Sequence, residues 1–391
     1  MESVVIVSAA RTPVGSFQGA LSALPGPKLG AVAIKEALSR AQVQVDEVDE
    51  CIMGEVLTAG VGQAPARQAA LFAGIKNTTP CTTINKVCGS GLKAVMLAAD
   101  SIQLGRAHIV VAGGQENMSL APHLLENSRA GYRMGNFSAT DSMIKDGLWD
   151  PYKNFHMGNA AEICVKENHF TRQQQDEFAI QSYKKAQAAI NNGVFTKEIS
   201  PVTIESKKGP VVVDKDEDPF NTNFDKIPGL KPAFEKDGTI TAANASKLND
   251  GAAALVLMSA STAQKRNIKP LAKIVTQSVN AHDPTYFTTA PVGAIRKALQ
   301  QAQLKVSDID LWEINEAFAN VTMLAMKELE IPAERVNVHG GAVAIGHPIG
   351  ASGARILTTL VHALHLHNKR YGLATLCIGG GEAVALIIEK V

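Results

Sequence analysis

Apolar and polar positions alternate along this chain with two distinct periods. Ser3 to Ser8, built on Val4-Val5-Ile6-Val7, reads as a buried strand followed by a turn at Arg11-Thr12-Pro13-Val14-Gly15. Helical spacing follows over 28–41, through Leu29, Val32, Ala33 and Ala37; Val48 to Val56 reads as the next strand and Ala64 to Phe72 as a helix. Thr82 to Val87 is a β-branched run that halts at Cys88-Gly89-Ser90-Gly91. Leu92 to Leu104 is apolar almost all round, so it is expected to be a central, buried helix. Ile109 to Ala112 reads as a strand ending at Gly113-Gly114. Strands alternating with helices predict an α/β core.

The pattern changes between about Met118 and Asn249. Turn-rich segments such as Lys207-Lys208-Gly209-Pro210 and Asp214 to Pro219 surround helices such as Arg172 to Asn191. This predicts a loop domain inserted into the core, the kind of excursion that carries binding sites. The core resumes at Gly251 to Met258 and then repeats itself. Leu271 to Val275 takes the part of Val4 to Ser8, Ser352 to Ile356 that of Ser90 to Ala94, and Cys377 to Gly381 that of Val110 to Gly114. A repeated half-domain predicts a pseudo-twofold pair with functional turns meeting at the junction. The expected division is 1–118 with 250–269 as the N-terminal core, 119–249 as the loop domain, and 270–391 as the C-terminal core.

Composition adds limits. The 391 residues, 46% hydrophobic and 19% charged, suit a soluble globular protein with a large core. A formal net charge of +1 implies no nucleic-acid partner, while leaving room for a local basic pocket for a phosphorylated ligand. Five cysteines without CxxC spacing fit a reducing compartment. No targeting segment is expected ahead of Val4, no apolar stretch reaches membrane-spanning length, and Glu389-Lys390-Val391 is not a peroxisomal signal. The expected location is the cytoplasm, or the mitochondrial matrix for a mature eukaryotic chain.

Candidate chemistry gathers at four strand-end turns. In VNVHGGAVAIGHPIGASGARI, from Val336 to Ile356, Pro348 and the flanking glycines hold His347 on a rigid, crowded turn. Cys88 opens a buried helix, where N-terminal amides are expected to depress a thiol pKa; the plainer alternative is a small buried hydrophobe. Cys377 precedes three glycines that offer either an oxyanion cradle or a simple turn. Asn315 sits before Glu316, as a helix cap or as the holder of a catalytic water. Cys51, Cys81 and Cys164 lack such a setting and read as packing residues. A Cys–His pair supplies a nucleophile and its base, and a second cysteine adds a proton shuttle that a simple thiol hydrolase does not need.

CGSG at 88–91, NEAFA at 315–319, GHPIGASGAR at 346–355 and CIGGG at 377–381 together resemble the thiolase family. So do RTPVGSF at 11–17, HMGNAAE at 156–162 and NASKLNDGAAA at 244–254, and the resemblance spans about Val4 to Lys390. It implies an α/β thiolase fold in five αβαβα layers, a loop domain that binds coenzyme A, and a homotetramer built as a dimer of dimers. The implied reaction is the reversible Claisen condensation of two acetyl-CoA to acetoacetyl-CoA and CoA, with 2-methylacetoacetyl-CoA as a further substrate. The alternative within the fold is a 3-ketoacyl-CoA thiolase of broader chain length.

The resemblance makes Cys88 the acylated nucleophile, His347 its base and Cys377 the acid/base at the α-carbon. Asn315 (through a water) and His347 would form one oxyanion hole, and the amides of Cys88 and Gly379 the other. Leu148, His156, Met157, Phe234, Ser246, Ala317 and Phe318 match positions that contact coenzyme A, and Phe287 lines the acyl pocket where many short-chain members carry methionine. No metal or tightly bound cofactor is required. A potassium-binding tyrosine of some members aligns with Pro219, which counts against potassium activation. Leu120 to Phe137, with Arg129, Tyr132 and Arg133, matches the tetramerisation loop.

Other readings fit less well. Ketosynthases lack the equivalent of Cys377. A dinucleotide-binding oxidoreductase needs a GxGxxG that residues 9–20 do not supply. A metal site of Cys88, His347 and Cys377 would need ligand geometry that sequence cannot show. A non-enzymatic acyl-CoA binding protein would be expected to have lost one of the four groups.

Overall fold

The computed structural model describes residues 2–207 and 209–391, so the turn expected at Lys207–Pro210 includes Lys208, which lies outside the described residues. In the first half come β1 (Val4–Arg11), α1 (Gly26–Ala41), β2 (Glu50–Gly54), α2 (Pro65–Ala73), β3 (Cys81–Ile84), α3 (Ser90–Gln103) and β4 (Ile109–Asn117). The excursion carries α4 (Met157–Asn168) and α5 (Arg172–Asn191), and β5 (Asn249–Ser259) returns to the core. The second half holds β6 (Ala272–Ala281), α6 (Ala290–Ala302), β7 (Leu311–Ile314), α7 (Ala319–Leu329), α8 (Ser352–Leu366), β8 (Tyr371–Ile378) and β9 (Glu382–Lys390).

Pairing reveals the internal repeat. In the first half β1 and β4 both run antiparallel to β5, while β4–β2 and β2–β3 are parallel. In the second, β6 and β8 both run antiparallel to β9, β8–β7 is parallel, and a parallel bridge joins Trp312 to Val336. The two half-sheets touch where Val5 and Ile6 face Lys273 and Ala272. The expected equivalences of β1 with β6, α3 with α8 and β4 with β8 therefore hold in the topology.

Three apolar clusters define the layers. Leu29, Ile34 and Ala69 of α1 and α2 cover one face of the first half-sheet, against Val111, Val256 and Met258. Ile295 and Leu299 of α6, with Ala325 of α7, cover the outer face of the second, against Ile314, Leu373 and Ile387. Between the sheets, Leu92, Val95 and Met96 of α3 and Ile356, Leu357 and Leu360 of α8 pack on Ile6 and Leu255 from one side and Leu376 and Leu386 from the other. The result is αβαβα. The all-round apolar character of α3 follows from having a sheet on each side. At its start α3 lies so close to α8 that a Cβ on Gly91 would stand 2.8 Å from the backbone nitrogen of Ala354.

Two strands run on past the turns the sequence predicts for them. β4 does not end at Gly113-Gly114 but runs on to Asn117 with every residue buried. Those glycines serve close approach rather than a turn: a Cβ on Gly114 would lie 2.1 Å from the Gly350 carbonyl oxygen. β1 continues through Arg11 instead of turning there. The buried Arg11 guanidinium pairs with Glu198 Oε1 at 2.6 Å and with both Asp216 oxygens at 2.7 and 2.9 Å. This network ties the excursion to the core, and removing one partner would leave a buried charge uncompensated, at a cost of about 3–5 kcal/mol.

Candidate active site

β3 stops at Ile84 rather than Val87, because the chain turns sharply at Asn85-Lys86-Val87. Val87 adopts φ +46°, a left-handed conformation that a β-branched residue holds only under constraint. Such strain costs about 1–3 kcal/mol and persists where the surroundings over-determine it. Here the Val87 N–H donates to Asn85 Oδ1 at 2.9 Å. The Ser90 hydroxyl donates to the Val87 carbonyl at 2.7 Å and accepts the Lys86 N–H at 2.8 Å. An ion pair from Lys86 to Glu382 fixes the turn to the second half. Cys88 is the residue this turn presents.

The amides of Cys88 and Gly379 both bond to the Cys88 sulfur and favour its thiolate. Burial outweighs them and pushes the thiol up to about 11, with the Glu116 carboxylate adding to the rise. The depressed value expected from the helix terminus is not found. The physical reason is the apolar wall of Val56, Leu57, Met118, Met143, Leu148 and Ile349, against which Cys88 packs. An anion there loses more hydration than two amide dipoles return. The resting sulfur is a thiol and needs a base.

His347 provides one. It is buried, and its backbone N–H donates to Asn249 Oδ1 at 2.9 Å; the Asn249 amide itself donates to the Gly15 carbonyl and to Asp218. Nδ1 lies 2.6 Å from Ser352 Oγ, whose own proton goes to the Pro348 carbonyl at 2.9 Å. Ser352 can therefore only accept from the ring. Nδ1 carries the proton, and Nε2 presents its lone pair. Burial, reinforced by Arg355, drives the imidazole down to about 3, so it is neutral at pH 7.

Asn315 Nδ2 is 3.5 Å from that Nε2, and Asn315 Oδ1 is buried without a protein partner, an open acceptor facing the site. The alternative of a helix cap is excluded, since α7 starts at Ala319 with Phe318 as its cap. Cys377, near the end of β8, is fully buried. Burial first, then the nearby Cys88 sulfur, hold its thiol well above the ordinary value. Two protonated thiols thus share one site with a neutral imidazole.

Most of the remaining predicted residues gather beside Cys377 or Cys88. Met157, Phe287, Ala317 and Phe318 form one apolar cluster with Cys377, and Phe234 packs against it. His156 caps α4 by accepting the Gly158 N–H at 3.0 Å and stacks on Phe234 with ring centres 4.8 Å apart. Phe234 and Phe287 each meet Phe318 edge-on, at 5.9 and 6.3 Å. The Ser246 N–H donates to the Ala317 carbonyl at 3.0 Å, joining the excursion to the second half. Leu148 stands on the Cys88 side and Gly379 beside Met157 and Val87.

Sequence reasoning missed three supports. Ser352 and Asn249 lie inside quoted motifs, where only a hydrogen-bond argument would single them out. Glu116 was hidden by ending β4 too early. Its carboxylate accepts the amides of Val56, Leu57 and Gly350 at 2.8–3.1 Å, clamping the loop after β2 to the His347 turn. Burial raises it to about 7. Among the described residues no group of three or more His, Cys, Asp or Glu converges as a metal site, and no helix is long and apolar enough to cross a membrane.

Residues 4–261 match the family model "Thiolase, N-terminal domain", and residues 268–390 match "Thiolase, C-terminal domain". The chain is 55% identical to an acetyl-CoA acetyltransferase of Cupriavidus necator and 51% identical to one of Escherichia coli, with both chains covered fully in each case. It is 50% identical to the mitochondrial acetyl-CoA acetyltransferase of Mus musculus, covering all of this chain and 92% of that one. Among solved structures it resembles the Acat5 thiolase of Ascaris suum in complex with coenzyme A, with a TM-score of 0.95, 45% identity and full coverage of both chains.

Proposed function

The chain belongs to the thiolase family, and from that premise we infer that it is an acetyl-CoA C-acetyltransferase, joining two acetyl-CoA into acetoacetyl-CoA and cleaving it in reverse. The observation that carries the assignment of roles is a buried imidazole held by Ser352 at Nδ1, its Nε2 shared only with a long contact from the Asn315 amide, in one site with two cysteines whose thiols burial keeps protonated. Nε2 of His347 takes the Cys88 proton as the sulfur attacks the thioester carbonyl. The amides of Cys88 and Gly379 receive the developing oxyanion, and CoA departs with the proton of Cys377, which is left as the thiolate. A second acetyl-CoA then enters. Cys377 takes its α-proton, while His347 and a water on Asn315 stabilise the enolate oxygen. The carbanion attacks the acetyl-Cys88 carbonyl, the C–S bond breaks, the Cys88 sulfur recovers its proton from His347, and acetoacetyl-CoA leaves.

Coenzyme A is a substrate here, held on the excursion by the wall from Leu148 and His156 through Phe234 to Ser246 and Ala317. The domain division at 119–249 goes with this reading. Potassium activation does not, because Pro219 has no side-chain oxygen for a cation. The location that fits this reading is the cytoplasm, or the mitochondrial matrix for a mature eukaryotic chain, with bacterial and mitochondrial relatives in support. Tetramerisation is supported by exposed apolar side chains at Leu120, Leu125, Tyr132, Met134 and Phe137.

Brief incubation with acetoacetyl-CoA tests the roles. One acetyl group per subunit should appear on the Cys88 peptide and vanish in Cys88→Ala. Cys377→Ser should still be acetylated, yet lose most condensation. Label on Cys377 would reverse the assignment.

A further inference from the structure

Two cysteines outside this site stand together. Cys51 on β2 and Cys81 on β3 are directly opposed in parallel register, and both contact the apolar layer under α1 and α2. Their side chains stand on the same face of the sheet, and each thiol shifts the titration of the other. Neighbouring strands lie about 4.7–4.9 Å apart, within the window of about 4.4–6.8 Å between Cα atoms that a disulfide spans.

The two thiols differ in a useful way. Cys51 is fully buried, and its thiol is held well above the ordinary value, chiefly by the neighbouring Cys81 thiol. Cys81 is half-buried on the edge strand, where its thiol donates to the Thr79 carbonyl at 3.4 Å. Arg67 bonds to the carbonyls of Thr79 and Asn77 at 3.2 and 2.8 Å and places its guanidinium against the Cys81 sulfur. The neighbouring Cys51 thiol, and then Arg67, bring the Cys81 thiol below its ordinary value, against the opposing effects of burial and of Glu50. This is a nucleophilic sulfur beside a thiol that can resolve it.

We propose that Cys81 and Cys51 form a second, non-catalytic dithiol that peroxide-class oxidants convert reversibly to a disulfide. The Cys81 thiolate attacks one peroxide oxygen, the O–O bond breaks, and hydroxide leaves a sulfenic acid. The Cys51 sulfur then attacks the Cys81 sulfur, the S–O bond breaks, and the departing hydroxide leaves as water with the Cys51 proton. Peroxide is reduced by two electrons and the pair is oxidised by two.

The test treats the wild-type enzyme with hydrogen peroxide, blocks remaining thiols with N-ethylmaleimide and maps tryptic peptides. Arg67 and Lys76 separate the two cysteines, and Lys86 separates Cys81 from Cys88. The expected result is a Cys51–Cys81 linked pair, two hydrogens lighter than its parts and released by dithiothreitol. In Cys51→Ser, Cys81 should instead accumulate as a sulfenic acid that dimedone traps. If that variant does not fold, the wild-type map alone decides. Cys51 and Cys81 both blocked by maleimide while Cys88 is oxidised, or Cys81 joined to another cysteine, would overturn the proposal.

Discussion

Ser352 touches no reacting atom in the proposed chemistry, yet Ser352→Ala should slow acetylation of Cys88 strongly. The wild-type hydroxyl spends its only proton on the Pro348 carbonyl and so compels Nδ1 of His347 to donate, at 2.6 Å. In the alanine variant the buried Nδ1–H loses its acceptor. Leaving such a donor unmatched costs about 1–3 kcal/mol. The ring escapes that cost by moving its proton to Nε2, which destroys the lone pair that should receive the Cys88 proton. Either way the productive tautomer is depleted, by roughly 5- to 150-fold at 1.4 kcal/mol per decade. Rapid-quench measurement of acetyl-enzyme formed from acetoacetyl-CoA reads this step directly. The burst rate should fall about 10- to 100-fold, with KM little changed because Ser352 does not line the approach. A burst within twofold of wild type, in a variant of unchanged melting temperature, would refute the tautomer argument.

Three further outcomes are expected. The ordinary His value of 6.5 is lowered to about 3 at His347, so the stability of its neutral form is complete above pH 6.5 and lost as pH falls toward 3. At two pH units below the ordinary value, denaturation should show wild type losing roughly 3 kcal/mol that His347→Gln does not lose, and equal losses would disprove it. On the proposal that Phe287, held edge-on against Phe318, forms the acyl-pocket wall, 2-methylacetoacetyl-CoA should be cleaved within about tenfold of acetoacetyl-CoA. Phe287→Met should depress the branched substrate selectively, and no cleavage of it by wild type would sink that reading. Light scattering at micromolar concentration should show a tetramer that Met134→Asp with Phe137→Asp weakens; a wild-type monomer would contradict it.

Much of this was legible in the chain because periodicity reports burial. Val4 to Val7, the all-round apolar α3 and the repeat of Ser90–Ala94 at Ser352–Ile356 announce strand, central helix and duplication directly. What failed was local punctuation. Gly113-Gly114 reads as a stop, since sequence cannot tell a glycine that turns from one that admits a neighbouring backbone, and Glu116 vanished behind it. The β-branched run to Val87 reads as strand, although Asn85 and Ser90 hold Val87 at a strained φ. The Cys88 pKa was misjudged because a helix terminus is visible in sequence, whereas the apolar wall assembled from Val56, Met118, Met143 and Ile349 is not. Cys51 and Cys81 meet only through strand register.

The duplication also sets an order in time. Cys88 is synthesised with the first half, whereas His347, Cys377 and Gly379 arrive only with the second. The second half-sheet cannot close before then, because β9, the last of its strands to be made, inserts between β6 and β8. A nascent chain therefore carries its nucleophile for most of its synthesis with neither the base nor the Gly379 amide that would put it to use. Chains normally fold from the N-terminal side as they emerge, so the first half must wait with one face of α3 uncovered until α8 arrives. The site is therefore inert until the second half has been made.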